Sequence, residues 1–156
     1  MIEIELAEPT HPDFLVLCAA LDGYLNILAG GEDKRKQYLP HNRVEDLSVV
    51  FLARENDEAI GCAGLKELAA STGEVKRVYI VPRARRHGAG RMLMEAFEKE
   101  AVKRGYAQLV LESGAPLKEA MRLYARLGFS VAPPYGPYAE MESSSDSICM
   151  VKNLVL

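Results

Sequence analysis

Val78–Arg91 reads VYIVPRARRHGAGR. An apolar run reaches Pro82, a basic turn with two glycines follows, and the turn opens a segment with helical spacing. The start of a helix leaves backbone N–H groups unpaired at a positive dipole end. Gly88 and Gly90 lack the Cβ atoms that would hold an anion away from that backbone, and Arg85, Arg86 and Arg91 add positive charge. The segment reads as a seat for a pyrophosphate. The competing reading is that the glycines only permit a tight turn and the arginines only solubilise it. Two familiar phosphate motifs do not fit. No Gly-Lys-Ser/Thr follows, so this is not a P-loop. A third glycine at the dinucleotide spacing is missing, and the strand does not open a βαβ fold.

Working outward, the apolar pattern implies an α/β chain. Upstream, VVFLARE from Val49 and AIGCAGLKEL, separated by Asn56-Asp57-Glu58, predict an antiparallel hairpin. Gly73 opens the strand EVKRVYIV that leads into the turn. Downstream, Leu93, Ala96, Phe97 and Ala101 make a helical stripe ending at Gly105. QLVLE is a short strand. Leu117, Ala120, Met121, Tyr124 and Leu127 make a second stripe, closed by Gly128. A strand starts at Phe129–Val131, and Ile148–Val155 is the last. At the N-terminal end, Ile2, Ile4 and Leu6 alternate with acids as a first strand. A helix capped by Thr10 or Asp13 runs to about Leu28, with the stripe Phe14, Leu17, Leu21 and Leu25. Ala29–Asp46 is polar, either a loop with a short helix or a lid. The expectation is one domain over residues 1–156, a mixed sheet with antiparallel strands first and helices flanking it.

Composition narrows the function. The 156 residues are 49% apolar and 26% charged, with a formal charge of -3. That balance suits a globular domain and argues against broad nucleic-acid binding, which needs a strong basic field. Cys18, Cys62 and Cys149 fit no metal-ligand spacing and read as small buried thiols. His11 and His41 are too far apart to read as a ligand pair, and no metal is expected. The start MIEIELAEPT lacks the basic and apolar regions of a signal peptide. No apolar run approaches a membrane span. The expectations are therefore a cytoplasmic protein and no membrane partner.

Specific motifs then converge. Arg85-Arg86-His87-Gly88-Ala89-Gly90 resembles the Arg/Gln-x-x-Gly-x-Gly/Ala signature of the GNAT superfamily of N-acetyltransferases. Ala120-Met121-Arg122-Leu123-Tyr124-Ala125-Arg126-Leu127-Gly128-Phe129 resembles that family's Ala-x-x-Leu-Tyr-x-x-x-Gly-Phe block. Gly61–Lys66, Leu111-Glu112-Ser113-Gly114 and Ser147–Lys152 are similar to a bacterial subgroup carrying Gly-Cys-Gly-Ala, Leu-Glu-Thr-Gly and Ser-Val-Cys-Phe-Glu-Lys. Ser113 stands for the usual Thr and Ala63 for a usual Gly. The resemblance covers about residue 47 to the end.

The resemblance implies the acyl-CoA N-acyltransferase fold with a splayed central strand pair, and acetyl-CoA as co-substrate without a metal. It implies that backbone N–H groups of Arg86 through Arg91 hold the CoA pyrophosphate. It also implies that Val78, Tyr79 and Ile80 pair with the pantetheine arm. The acceptor is expected to be an amine on a small molecule, amino acid or peptide. Many relatives pair as homodimers. An alternative within the same fold is a module that binds acyl-CoA without turning it over.

Acetyl transfer to an amine needs a proton taken from the ammonium, a donor for the oxyanion and a proton for the leaving thiolate. Glu74 is the candidate base, either in that role or as an ion-pair partner of a lysine such as Lys76. Strand alternation predicts Glu74, Lys76, Val78 and Ile80 on one face. Tyr124 is the candidate acid by resemblance, although a core tyrosine would carry the same stripe. His87 reads as a spacer in the turn. Tyr135 and Tyr138 either line the acceptor pocket or pack their loop, and Glu112 is a candidate for an acceptor ammonium. The acceptor site is expected from Ala29–Asp46 and Pro133–Ser145.

Overall fold

A computed structural model describes residues 1–114, 117–139 and 147–154. The strands are β1 (Ile2–Ala7), β2 (Val49–Glu55), β3 (Glu58–Ala69), β4 (Thr72–Ile80), β5 (Gln108–Gly114), β6 (Ser130–Ala132) and β7 (Ser147–Asn153). The α-helices are α1 (Pro12–Ala29), α2 (Ala89–Lys103) and α3 (Lys118–Arg126). Together the described strands form a seven-stranded sheet in the order β1-β2-β3-β4-β5-β7-β6. Every neighbouring pair is antiparallel except β4–β5, which is parallel. Residues 140–145 of the expected acceptor loop, and Val155 of the expected last strand, lie outside the described residues.

The near-continuous apolar run of β2 follows from cover on both faces. Val50 and Leu52 join Phe14, Leu17 and Leu21 of α1 in one cluster. Phe51 and Ala53 join Leu93, Phe97 and Tyr124 in the other. Each face thus buries alternate residues of the same strand, so no polar alternation is left to read. The Asn56-Asp57 turn has φ of 53° and 65°, the left-handed pair that closes a tight hairpin.

Two expectations change, and the open choice for Ala29–Asp46 resolves in favour of helix. His11, not Thr10 or Asp13, caps α1: its Nδ1 accepts the Asp13 N–H at 3.1 Å. Pro12 at the first helical position fixes φ there and sets the cap one residue earlier. Asp13 instead receives Arg54 at 2.9 Å. Next, Ala29–Asp46 is largely helical, with 3₁₀ segments at Glu32–His41 and Val44–Asp46. Finally, α1 has 18 residues and a mean hydropathy of 1.4, long and apolar enough by length and composition to cross a membrane. Asp13 and Asp22 interrupt the apolar run that the sequence reading sought. Its inner residues Phe14, Leu17, Cys18 and Leu21 are buried against the sheet.

Candidate active site

The parallel pairing of β4 and β5 covers only Thr72–Glu74 against Gln108–Val110. Both strands continue, β4 to Ile80 and β5 to Gly114, but they part. This is the splayed pair that the resemblance implied. The gap opens into a cavity of about 350 Å³. Lys76, Arg77 and Val78 line it from β4, and Glu112 and Ser113 from β5. The segment Glu32–His41 contributes Lys34, Arg35 and Tyr38, while Tyr124 and Tyr138 complete the wall.

A bulge directs β4. Gly64 of β3 opposes Lys76 and Cys62 opposes Tyr79, so the one residue between them on β3, Ala63, faces two on β4, Arg77 and Val78. Arg77 sits in the bulge with φ of 57°. The extra residue breaks the expected alternation. Val75 packs in the α2 cluster, and beyond the bulge Val78 and Ile80 do so too. Glu74 and Lys76, which flank Val75, therefore face the other way from Val78 and Ile80. Tyr79 packs in the α1 cluster. Arg77 holds the bulge to α1, donating to the Cys18 carbonyl at 3.0 Å and pairing with Asp22 at 2.9 Å. Its Nε is buried without a partner among the described residues. A hydrogen bond from Cys62 and the Arg77 charge pull the Cys18 thiol down to about 7.

At the glycine turn, Arg86 and Gly88 both adopt left-handed backbone, with φ of 69° and 90°. Gly88 is the N-cap of α2 and no side chain caps that helix end. Space is open around the Gly88 Cα, so its need for glycine is conformational. Gly90 has a different reason, since a Cβ there would meet Leu123 Cδ2 at 3.0 Å. That contact seats the turn against α3, one residue from Tyr124. The residues of the turn divide by what they touch. Ala89 is buried, while His87 and Arg91 are exposed. Arg85 is turned inward, donating to the Ile80 carbonyl at 2.9 Å and lying over the Tyr24 and Tyr79 rings. Arg86 pairs with Glu119 at 2.6 Å and Arg91 with Glu95 at 2.9 Å, both at the surface. Such exposed pairs are easily exchanged for a phosphate partner. The uncapped helix end and the open ground above Gly88 fit a pyrophosphate.

Around the cavity, the candidate residues come together unevenly. Tyr124 is 5% exposed and reaches the cavity wall. Burial pushes its hydroxyl above the ordinary tyrosine range, so it is protonated at neutral pH. Glu74 is buried behind the cavity. It accepts the Tyr135 hydroxyl at 2.6 Å and stands 3.5 Å from Lys76. Lys76 donates to Tyr138 at 2.8 Å, and burial holds its ammonium below the usual lysine range. Glu112 faces the cavity and accepts the Ser147 hydroxyl at 2.6 Å. Burial raises its carboxyl. Sequence reasoning gave Ala29–Asp46 to the acceptor site without singling out Lys34 and Arg35, and noted Ser147 only within a family motif. Each is an ordinary polar residue in a polar stretch, and only the fold carries them to the cavity.

Comparison with known proteins decides the family. The family model described as Acetyltransferase (GNAT) family matches residues 17–129. The chain belongs to the GNAT acetyltransferases. It is 31% identical over 138 residues to an IAA acetyltransferase of Azospirillum brasilense, covering 88% of this chain and 90% of that one. It is 36% identical over 104 residues to the uncharacterized N-acetyltransferase YsnE of Bacillus subtilis, covering 65% of this chain and 67% of that one. Among solved structures, a protein from Klebsiella pneumoniae assigned as an acyl-CoA N-acyltransferase superposes with a TM-score of 0.81. It is 30% identical over 99% of both chains. A GNAT family acetyltransferase from Elizabethkingia anophelis with acetyl-CoA bound shares the fold at a TM-score of 0.67 and 22% identity, over 98% of both chains. This GNAT chain is thus an acetyltransferase of a family that uses acetyl-CoA as co-substrate, and among its described residues no cluster could hold a metal ion.

Proposed function

We propose that the protein is an acetyl-CoA-dependent N-acetyltransferase acting on a primary amine of a small molecule, amino acid or peptide by direct attack in a ternary complex. The observation that carries this reading is the parting of β4 from β5 beside the uncapped start of α2, with Tyr124 on the wall of the gap. Beyond Glu74, the backbone of Val78, Tyr79 and Ile80 has no β5 partner. That edge is free to pair with a pantetheine amide, as an added strand would. Backbone N–H groups of Arg86, His87, Gly88, Ala89, Gly90 and Arg91 then hold the pyrophosphate. Arg85 serves by tying the turn to α1 rather than by meeting phosphate. The bulge at Arg77 leaves backbone unpaired with β3, a fixed donor site suited to a developing oxyanion.

The chemistry balances with few groups. The amine nitrogen attacks the thioester carbonyl carbon, a C–N bond forms and the C–S bond breaks. Tyr124 gives its proton to the leaving sulfur, and the proton lost from nitrogen restores it through solvent. Of the two roles open to Glu74, we infer the ion-pair role: it orients Lys76 and Tyr135 and stands off the cavity wall. Positioning the two substrates supplies much of the rate, so no covalent enzyme intermediate is needed.

Thermal shift with acetyl-CoA, CoA, ATP and NAD tests the donor site. Ligand at about a hundred times its dissociation constant should stabilise the fold by about 2.7 kcal/mol. Stabilisation by the two CoA species alone is the expected result, and thiol release on an amine panel then follows. Equal stabilisation by ATP or NAD, or none by CoA, refutes the reading.

A further inference from the structure

The charged groups lining the cavity mostly pair off. Lys76 is matched by Glu74, and Arg77 by Asp22. Arg35 donates to Asn26 at 2.7 Å and stands 3.6 Å from Asp22. Asp22 is shared by the two arginines, so their second positive charge is only partly matched; among the described residues Glu112 and Lys34, of opposite sign, make no ion pair at all. Glu112 meets only the neutral hydroxyl of Ser147. Lys34 makes no ion pair. Glu112 lies on the strand wall and Lys34, exposed, on the Glu32–His41 segment, so the cavity lining offers one unpaired group of each sign.

Lys76 and Arg35 face Glu112 but are paired to Glu74 and Asp22, and a half-buried carboxylate with no cation of its own is costly to ionise unless something cationic completes it. We propose that the acceptor is a small amine that also bears a carboxylate, with its ammonium on Glu112 and its carboxylate on Lys34. This deepens the N-acetyltransferase reading and rests on it. The cavity of about 350 Å³ is at the small end of ligand sites, suited to an amino-acid-sized acceptor beside an acetyl group. Lys76 cannot take the carboxylate role as readily, because Glu74 and Tyr138 already hold it.

The seat also assigns the first proton. The bound ammonium passes one proton to the Glu112 carboxylate and becomes the nucleophile. Attack forms the C–N bond, and the C–S bond breaks. Tyr124 protonates the sulfur and is reprotonated by the second nitrogen proton. The products are the amide, the CoA thiol and one proton on Glu112, released to solvent. The groups facing Glu112 are Lys76 and Glu74 from β4, Ser147 and Cys149 from β7, Arg35 from the 3₁₀ segment and Tyr138. Burial of Glu112 outweighs them and raises its carboxyl, which makes it a stronger base than an exposed carboxylate.

The test uses the full chain at saturating acetyl-CoA and measures thiol release. The acceptors are the twenty amino acids and several ω-amino acids, each paired with its methyl ester and its decarboxylated amine. The expected result is at least one carboxylated acceptor with kcat/KM about tenfold above its ester, roughly what one charge-assisted contact supplies. Lys34→Gln should then raise KM for that acceptor about tenfold and leave the ester unchanged. Glu112→Gln should lower kcat about 100-fold for both without altering acetyl-CoA affinity, remove the acidic limb of the pH profile, and be partly rescued by Glu112→Asp. Esters used as well as acids, turnover of plain amines only, or no turnover across the panel while acetyl-CoA still stabilises the protein would each overturn the proposal. Loss of the acetyl-CoA shift itself brings down the donor site, and this proposal with it.

Discussion

The two ends of the GNAT cleft are built from different materials. At the donor end, a single stretch from Val78 to Arg91 supplies a strand edge, a left-handed turn and an uncapped helix start. In the proposed cofactor seat backbone does the work, and the side chains mainly hold that backbone in place. At the acceptor end, side chains from β4, β5, β7, α3 and the 3₁₀ segment converge from 113 positions of chain, Lys34 to Ser147. A backbone-built site tolerates many side chains but few changes of glycine. A side-chain-built site can change specificity by single substitutions on an unchanged frame.

The largest expected effect is at the donor end. Gly88→Glu sets a negative, bulky side chain over the pyrophosphate seat, and the left-handed φ adds strain of about 1–2 kcal/mol. Acetyl-CoA affinity by calorimetry should fall at least about 100-fold, the order of 2.7 kcal/mol. Gly88→Asn, which accepts that backbone, should retain more of the fold stability. If Gly88→Glu binds within a few-fold of the parent, the turn is not the seat and the contrast between the two ends collapses.

Tyr124 lies between the two ends and sharpens the contrast. Tyr124→Phe should keep acetyl-CoA affinity and lower kcat about 100-fold, the range of one proton-transfer group. An unchanged kcat would return Tyr124 to a packing role. On the acceptor side, Glu74→Gln should disturb Lys76 and Tyr135 and move KM for the amine more than kcat. A loss confined to kcat with KM intact would instead restore Glu74 as the base.

The smallest effect concerns stability. Burial raises the folded-state pKa of Glu112, so ionising it costs stability as pH rises through that value. Glu112→Gln should therefore raise Tm near pH 7 and show little gain in acid, where the carboxyl is protonated in both states. A shift of about 2–4 °C corresponds to about 1 kcal/mol for a chain of this size. A lower Tm at neutral pH would mean that the carboxylate is stabilised by its neighbours, and the reading of Glu112 as unpaired would lose its basis.

Sequence reading reached the β2–β3 hairpin, the glycine turn and both later helices because their signals are local. Hydrophobic period, paired turn residues and Gly-x-Gly lie within a dozen positions of one another. It misplaced the faces of β4, because a bulge depends on what the neighbouring strand presents. Nothing in EVKRVYIV marks Arg77 as the extra residue. The apolar length of α1 was also missed, since two acids broke the run while the helix average stayed high.

The amino-acid sequence by itself determined the family and the mixed fold with its splayed pair, and it marked the glycine turn that we propose as the pyrophosphate seat. These rest on local geometry: helix starts, left-handed turns and alternating burial. Only the tertiary structure decided how charge is matched. It joined Glu74 to Tyr135 across 61 positions and Glu112 to Ser147 across 35, and it left Glu112 and Lys34 in the cavity lining without ion pairs among the described residues. Which charges cancel is a matter of distance and desolvation in three dimensions, and neither quantity is written in residue spacing.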